Sequence, residues 1–486
     1  MHTPTPEQQA IIDAAVHTHD NLLLNALAGA AKTSTLEMIC NALPPTEPVL
    51  SLAFNKRIAD EMSQRLPGHV KCQTLNSLGH RSWAQALGSK RITLESRKNG
   101  TILKQIIDGA SPAEKGELFD AFGDIVKLVA WMKSIGYIPA GKFSGATSLI
   151  SREVLLAGLE DEDAQWIPIA ERVLFESIKM AYNGLIDFDD QIYMSTLFGG
   201  NFPKYPLVMI DEAQDLSPLN HAMLRKLVTR RIIAVGDPWQ SIYGFRGAVS
   251  NGMSLLKATF NMTEMTLSIS FRCPISVVRH AHKRVPHMKW PEWAIPGEVV
   301  TLPKWNASDI PDEAAIICRN NAPLFKLALQ LIRNGRGVHL VGADIGPKLV
   351  KLLKKLGPVG MVQTEVCRQI NIWEETQLAK AKEPGSIVDR AECLRVFAEA
   401  GPTLQAAIDY AEHLFAAKGP VQLMSGHKSK GLEFATVYHL DSWRVPSKFA
   451  KAPEEIEQEL NLEYVITTRA KRSLFFIDSN NFQGDE

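Results

Sequence analysis

The sequence predicts an α/β fold: parallel sheets flanked by helices and interrupted by helical insertions. Two observations lead there. Apolar runs of strand length alternate with helical patterns over 21–65 and 206–237, and again from about Met265 onward. Between these series, over 92–193 and 358–417, the strand signal gives way to helical patterns. Strands that alternate with helices are joined by crossovers, which set the strands parallel and the helices on both faces of the sheet.

Taken in order, "NLLLNAL" (Asn21–Leu27) is a buried strand followed by an amphipathic helix, and "VLSLAF" (Val49–Phe54) is followed by the helical "NKRIADEMSQRL". "PLVMID" (Pro206–Asp211) precedes "SPLNHAMLRKLV", and "RIIAVGD" (Arg231–Asp237) comes next. "ILKQIIDGASPAEKGELFDAFGDIVKLVAWMKSIGY" and "AQWIPIAERVLFESIKMAYNGL" are helical throughout and form an insertion in the first domain. The second series of strands is "MTLSIS", "AAIICR", "GVHLVG", "PVQLMSG", "TVYHLDS" and "SLFFID". The expected boundaries are 1–90 with 184–262 for the first sheet domain and 91–183 for its insertion. For the second sheet domain they are 263–357 with 418–486, and its short helical insertion is 358–417.

Bulk composition narrows the class. A chain of 486 residues, 45% hydrophobic and 22% charged, is an ordinary globular sequence, too long for one core. No apolar run reaches the roughly 18–20 residues of a membrane span. The start, "MHTPTPEQQAII", lacks the basic-then-apolar pattern of a signal peptide, so a cytoplasmic protein with no membrane partner is expected. The six cysteines stand at least 26 positions apart (Cys367 to Cys393), which excludes CxxC zinc and redox spacing. Basic and acidic residues balance at 53 each, so the bulk charge gives no sign of a polyanion partner, although a local basic groove is compatible with it.

The chemistry begins at "LLLNALAGAAKTSTLEM" (Leu22–Met38), a strand, a loop of small residues and a helix opening with Lys-Thr. This is the layout of a phosphate-binding loop, G-x-x-x-x-G-K-[ST], with Ala26 and Ala31 in the two glycine positions and Gly29 inside. Such a loop works through inward backbone N–H groups and the positive end of the helix, and Ala31 retains its N–H. Ala28, Gly29, Ala30, Ala31, Lys32, Thr33 and Ser34 are the candidate phosphate cradle; an ordinary strand-to-helix turn is the plain alternative. A second feature weighs against that alternative. "LVMIDEAQD" (Leu207–Asp215) is an apolar strand ending in two carboxylates. Nucleotide hydrolysis needs one carboxylate on Mg²⁺ and another beside the attacking water. Asp211 with Thr33 is the candidate metal pair and Glu212 the candidate base.

The run "AVGDPWQSIYGFRGA" (Ala234–Ala248), with "DEAQD", resembles the superfamily 1A DNA helicases, the UvrD/PcrA/Rep group, and is nearest in wording to the smaller F-box DNA helicases. "TPEQQAII", "AFNKRIADEM" and "CQTLNSLGH" resemble that family's Q, Ia and Ib motifs, and "LIDFDDQI" (Leu185–Ile192) the segment before motif II. "LSISFRCP" (Leu267–Pro274), "LMSGHKSKGLEF" (Leu423–Phe434) and "NLEYVITTRAK" (Asn461–Lys471) resemble motifs IV, V and VI. The matches keep family order from residue 5 to residue 477.

The resemblance implies two RecA-like domains with ATP and Mg²⁺ as cofactors. It implies that Gln8 reads the adenine edge, Phe271 stacks on the base and Glu433 binds the ribose. Lys32, Asp211 and Glu212 would be joined in catalysis by Gln240, sensing the γ-phosphate, and by Arg272 and Arg469 as arginine fingers. Phe54, Asn55, Thr74, Phe245, Arg246 and His427 would face DNA. The partners implied are single-stranded DNA and its junctions with duplex, and the activity is 3′-to-5′ translocation with unwinding. Two other readings stay open: a nucleotide-gated DNA-binding switch, and the ATPase subunit of a larger nuclease or defence complex. The chain departs from the family at Ala31, at Asn76 in place of a histidine, and in lacking the large second insertion.

Overall fold

In the computed structural model, the residues described are 3–53, 55–88, 91–140, 143, 145–157, 159, 164–242, 252–342, 345–379 and 384–483. They form two compact units: residues 1–27 with 31–267, and residues 28–30 with 268–486.

The first unit is built on strands β1 (Leu22–Ala26), β2 (Val49–Ala53), β3 (Val70–Thr74), β4 (Thr93–Leu94), β5 (Leu185–Ile186), β6 (Tyr205–Ile210), β7 (Val228–Gly236) and β8 (Thr263–Leu267). Six of them make one parallel sheet in the order β3-β2-β6-β7-β1-β8, and β4 pairs with β5 apart from it. Nearly every residue of β1, β2 and β6 is buried, as expected of strands covered by helices on both faces. Consecutive strands β1 and β2 lie on opposite sides of β6 and β7. In such open sheets, ligands gather at the carboxyl ends of the strands, where the strand order switches.

One expectation is corrected here. The strand expected to open the second domain is β8, which pairs with β1 from Leu22↔Thr263 to Ala26↔Leu267, so the second unit starts at Ser268. The short strand β3 is also part of the sheet; its pattern, "VKCQT", is too polar to read as a buried strand. The helices of the first insertion, among them Lys98–Asp108, Phe122–Ser134 and Ile167–Tyr182, close their own apolar cluster around Ile125, Val129, Val173 and Leu174.

The second unit holds β9 (Glu298–Thr301), β10 (Ala315–Cys318), β11 (Val338–Leu340), β12 (Val421–Ser425), β13 (Phe434–Leu440) and β14 (Ala470–Ile477). They form a second parallel sheet, ordered β11-β12-β10-β13-β14-β9. The segment expected as a separate insertion, 358–417, is instead part of this unit's core. Its helices Gln363–Leu378, Pro384–Ala400 and Leu404–Ala416 bury Val366, Ile370, Leu394, Phe397 and Leu414 in the same cluster as Ile316, Leu327 and Leu423. The polar residues that make the stretch look like an independent patch cover its outer face. Among the described residues, no helix is long and apolar enough to cross a membrane.

Candidate nucleotide and nucleic-acid site

The loop after β1 leads into the helix Lys32–Ala42, whose cap residue, Ala31, sits in the left-handed region at φ 55°, ψ 42°. Gly29 also has positive φ, at 74°. The second glycine position therefore needs the conformation that glycine adopts freely and alanine adopts at a cost of about 1–2 kcal/mol. Alanine stands there all the same, with its carbonyl accepting from Thr35 N–H at 2.9 Å and from Thr35 Oγ1 at 3.0 Å.

Because β6 and β7 are neighbours and β7 borders β1, the residues that follow these three strands converge. Thr33 Oγ1 donates to Asp211 Oδ2 at 3.1 Å. Lys32 Nζ lies 3.8 Å from Glu212 Oε2. Glu212 is itself left-handed, at φ 55°, and its N–H donates to Asp211 Oδ1 at 2.9 Å. Burial, then the Glu212 charge, raises the Asp211 carboxyl above the usual carboxylate range, while Lys32 draws it down.

Three residues complete the cluster, and only Gln240 is named by the sequence reading. Gln214 Nε2 donates to Glu212 Oε2 at 2.6 Å, and Gln214 Oε1 accepts from Asp237 N–H at 3.0 Å. Asp237 Oδ2 accepts from Gln240 Nε2 at 2.8 Å, and its Oδ1 from Trp239 N–H at 3.1 Å. A relay thus runs from Lys32 through Glu212, Gln214 and Asp237 to Gln240. Gly236 makes room for it, since a Cβ there would stand 2.6 Å from Gln214 Oε1. Asp237 is fully buried, and burial pushes its carboxyl up to about 6 against the pull of Lys32. The signals for the two missed residues are present in the sequence: Gln214 follows the carboxylate pair by two positions, and Asp237 ends an apolar strand as Asp211 does.

Other residues named from sequence have local duties. Gln8 closes a capping box with Thr5, accepting the Thr5 N–H at 3.0 Å, and donates to Thr35 Oγ1 at 3.0 Å. Asn55 caps the helix Lys56–Arg65 by accepting from Ile58 N–H at 3.0 Å, and Thr74 caps Leu75–Leu87 in a box with Ser77. Ser34 accepts from Arg65 at 3.4 Å. Asn76 donates to Phe188 O at 3.0 Å and to Gln191 Oε1 at 2.9 Å. Phe54, Phe245 and Arg246 lie outside the described residues.

Near Asn76 is an exposed aromatic that the sequence reading passes over. Phe188 is 57% exposed, between two residues held by buried lysines. Lys133 Nζ contacts Asp187 at 2.6 Å and Asp190 at 2.8 Å, and Lys98 also bonds Asp190.

In the second unit, Arg272 Nε donates to Glu433 Oε2 at 2.7 Å, and Lys471 Nζ reaches Glu433 Oε1 at 3.1 Å. Burial raises the Glu433 carboxyl, but Arg272 and Lys471 outweigh it, and the net direction is down. The presumed phosphate and ribose residues are thus each other's partners. Arg469 is almost fully buried and donates to Val465 O at 2.9 Å and Leu432 O at 3.0 Å. His427 lies on the short helix after β12, where burial holds its imidazole down to about 4. At the carboxyl ends of β10, β11 and β12 is a pocket of about 330 Å³ lined by Asn321, Ser425, Lys348, Arg390 and Lys428. Three of the lining side chains, Lys348, Arg390 and Lys428, are cationic.

Residues 8–246 match a family model described as an AAA domain, and residues 391–481 match the UvrD-like helicase C-terminal domain. The chain belongs to the UvrD-like superfamily 1 helicases. It is 24% identical to F-box DNA helicase protein 1 of Schizosaccharomyces pombe over 534 aligned residues, 98% of this chain and 57% of that protein. To F-box DNA helicase 1 of Gallus gallus it is 25% identical over 98% of this chain and 49% of that protein. To DNA helicase II of Rickettsia typhi it is 28% identical over 60% of this chain and 45% of that protein. The chain thus spans about half the length of these relatives.

Proposed function

We propose that the chain is an ATP-dependent DNA helicase: a single-stranded DNA translocase that couples hydrolysis between its two RecA-like domains to 3′-to-5′ unwinding. The observation that carries this reading is the convergence of Lys32, Thr33, Asp211 and Glu212 after β1 and β6, with Gln214 and Asp237 tying them to Gln240.

Each group has a task in the reading. Lys32 balances charge on the terminal phosphates, for which no other loop residue from Leu27 to Thr33 is charged. Glu212 takes the proton of the attacking water, and Gln214 steadies the carboxylate that does so. Gln240 carries the state of the γ-phosphate along the relay. Thr33 Oγ1 and Asp211 Oδ2 are hard oxygen donors 3.1 Å apart, a donor set that fits Mg²⁺. When bound, Mg²⁺ supplies neutralising charge on the phosphate oxygens. Arg272 and Arg469 are proposed as the arginines that answer the spread charge of the transition state, Arg272 exchanging Glu433 for phosphate. Phe54, Phe188, Phe245 and Arg246 are proposed to line the DNA track, with Lys348, Arg390 and Lys428 as backbone contacts in the second unit. Stacking suits a motor, since it tolerates any base and is worth about 1–3 kcal/mol each.

The test is ATP hydrolysis with and without single-stranded DNA, for wild type, Lys32→Ala and Glu212→Gln, with unwinding of 3′-tailed and 5′-tailed duplexes. DNA-stimulated hydrolysis lost in both variants, and unwinding of the 3′-tailed duplex, are expected. Wild-type levels of hydrolysis in Lys32→Ala would remove this loop from the chemistry; unwinding of the 5′-tailed duplex alone would reverse the polarity.

A further inference from the structure

Trp293 is 70% exposed, the most exposed of the large apolar side chains described. A single exposed aromatic is ordinary on a protein surface. This one is different in how it is held. Its indole stacks on Phe271, with ring centroids 6.2 Å apart and planes inclined by 26°.

The segment that carries Trp293 is fastened at both ends to the segment that carries Phe271. At one end, Lys289 N–H donates to Ser268 O at 2.8 Å and Ser270 N–H donates to Lys289 O at 2.9 Å. At the other, Ile275 N–H donates to Ile295 O and Ser276 N–H to Pro296 O, both at 3.0 Å. Between the clamps, Ala294 N–H closes a turn onto Pro291 O at 2.9 Å and sets Trp293 at its tip. Gly297, at φ 62°, lets the chain pass Pro274, where a Cβ would stand 2.4 Å from the proline Cβ. The two segments are therefore fastened together on either side of the ring pair, and the next residue along from Phe271 is Arg272.

We propose that Trp293 is a positioning residue for the nucleotide base: by stacking on one face of Phe271 it orients the ring whose other face receives the base. The inference rests on the reading that Phe271 stacks on the base. Without the indole, Phe271 is free to turn about its side-chain torsions, and the ordering must then be met on binding.

An aromatic pair is worth about 0.5–1.5 kcal/mol beyond its buried area, so Trp293→Ala is expected to raise the KM for ATP roughly two- to tenfold. The loss falls on KM rather than on kcat. Trp293→Phe restores most of it. Phe271→Ala raises KM by itself, and adding Trp293→Ala to it does little more, because the indole acts through that ring. DNA-stimulated hydrolysis is measured against ATP for the three single variants and the double.

The outcomes separate the two ideas. An unchanged KM in Phe271→Ala overturns the base-stacking reading. A raised KM in Phe271→Ala with a wild-type KM in Trp293→Ala overturns the role of Trp293 alone. Additive effects in the double variant overturn action through Phe271, and a Trp293→Ala defect confined to DNA affinity assigns the indole to the track instead.

Discussion

Replacing Ala31 by glycine isolates the one departure in the phosphate loop. Ala31 stands at φ 55°, ψ 42°, where an L residue is strained by about 1–2 kcal/mol. Glycine removes that strain but loosens the unfolded chain, which costs about 0.4–1 kcal/mol. The difference favours the variant by somewhere between zero and about 1.6 kcal/mol, with a centre near 0.8. In a unit of this size, 1 kcal/mol moves the unfolding midpoint by about 2–4 °C, so Ala31→Gly should melt roughly 1–3 °C higher. Ala31→Val moves the other way, because a β-branched side chain tolerates this region worse than alanine does. Thermal unfolding of the three proteins, followed by circular dichroism without nucleotide, reads the effect; hydrolysis assayed in parallel should change little in Ala31→Gly. A lower midpoint for Ala31→Gly, or an equal one for Ala31→Val, refutes the left-handed assignment. Revival of an inert wild type by Ala31→Gly would instead support the nucleotide-gated switch.

Gln214→Ala should lower stability by about 1–3 kcal/mol, because it strips partners from the buried Asp237 N–H and from Glu212; denaturant midpoints check this, and DNA-stimulated hydrolysis should fall with them. Lys133→Met removes the buried ion-pair partner of Asp187 and one of the two partners of Asp190, Lys98 being the other, and should cost about 3–5 kcal/mol by urea titration; a loss under 1 kcal/mol would mean that the carboxylates are solvated. His439 is fully buried, and burial holds its imidazole down from 6.5 to about 4, so the folded state binds its proton later than the unfolded chain does. Its contribution is therefore complete above about pH 6.5 and lost as the pH falls toward 4, near 2 kcal/mol by pH 5. His439→Leu should shrink the drop in melting temperature between pH 7 and pH 5, and an unchanged drop would place the proton elsewhere.

The parts legible in the sequence are those whose signals are local. Strands β1, β2, β6 and β7 announce themselves as apolar runs because a parallel strand is buried on both faces. Lys32, Thr33, Asp211 and Glu212 stand out because each follows such a run at the end where ligands gather. The ordered motifs name the family without any contact being known. A polar edge strand such as β3 has no such signal, and the helices over 363–416 carry enough polar surface to hide the face they bury.

What only the tertiary structure decides is which groups become partners. The order β6-β7-β1 joins Gln214 to Asp237 across 23 residues of sequence, and β8 joins the first sheet because it lies beside β1. Polar side chains that look free for ligand are already engaged: Asn55 and Thr74 by helix ends, Arg469 by the carbonyls of Val465 and Leu432. Arg272 and Glu433, 161 positions apart, are brought together as an ion pair. Trp293 is paired with Phe271 by two sets of backbone hydrogen bonds that no periodicity foretells. The physical reason is common to all of these. Apolar period and strand length are properties of a segment, whereas a hydrogen bond, a charge partner or a backbone torsion such as that of Ala31 depends on what the rest of the fold sets beside it.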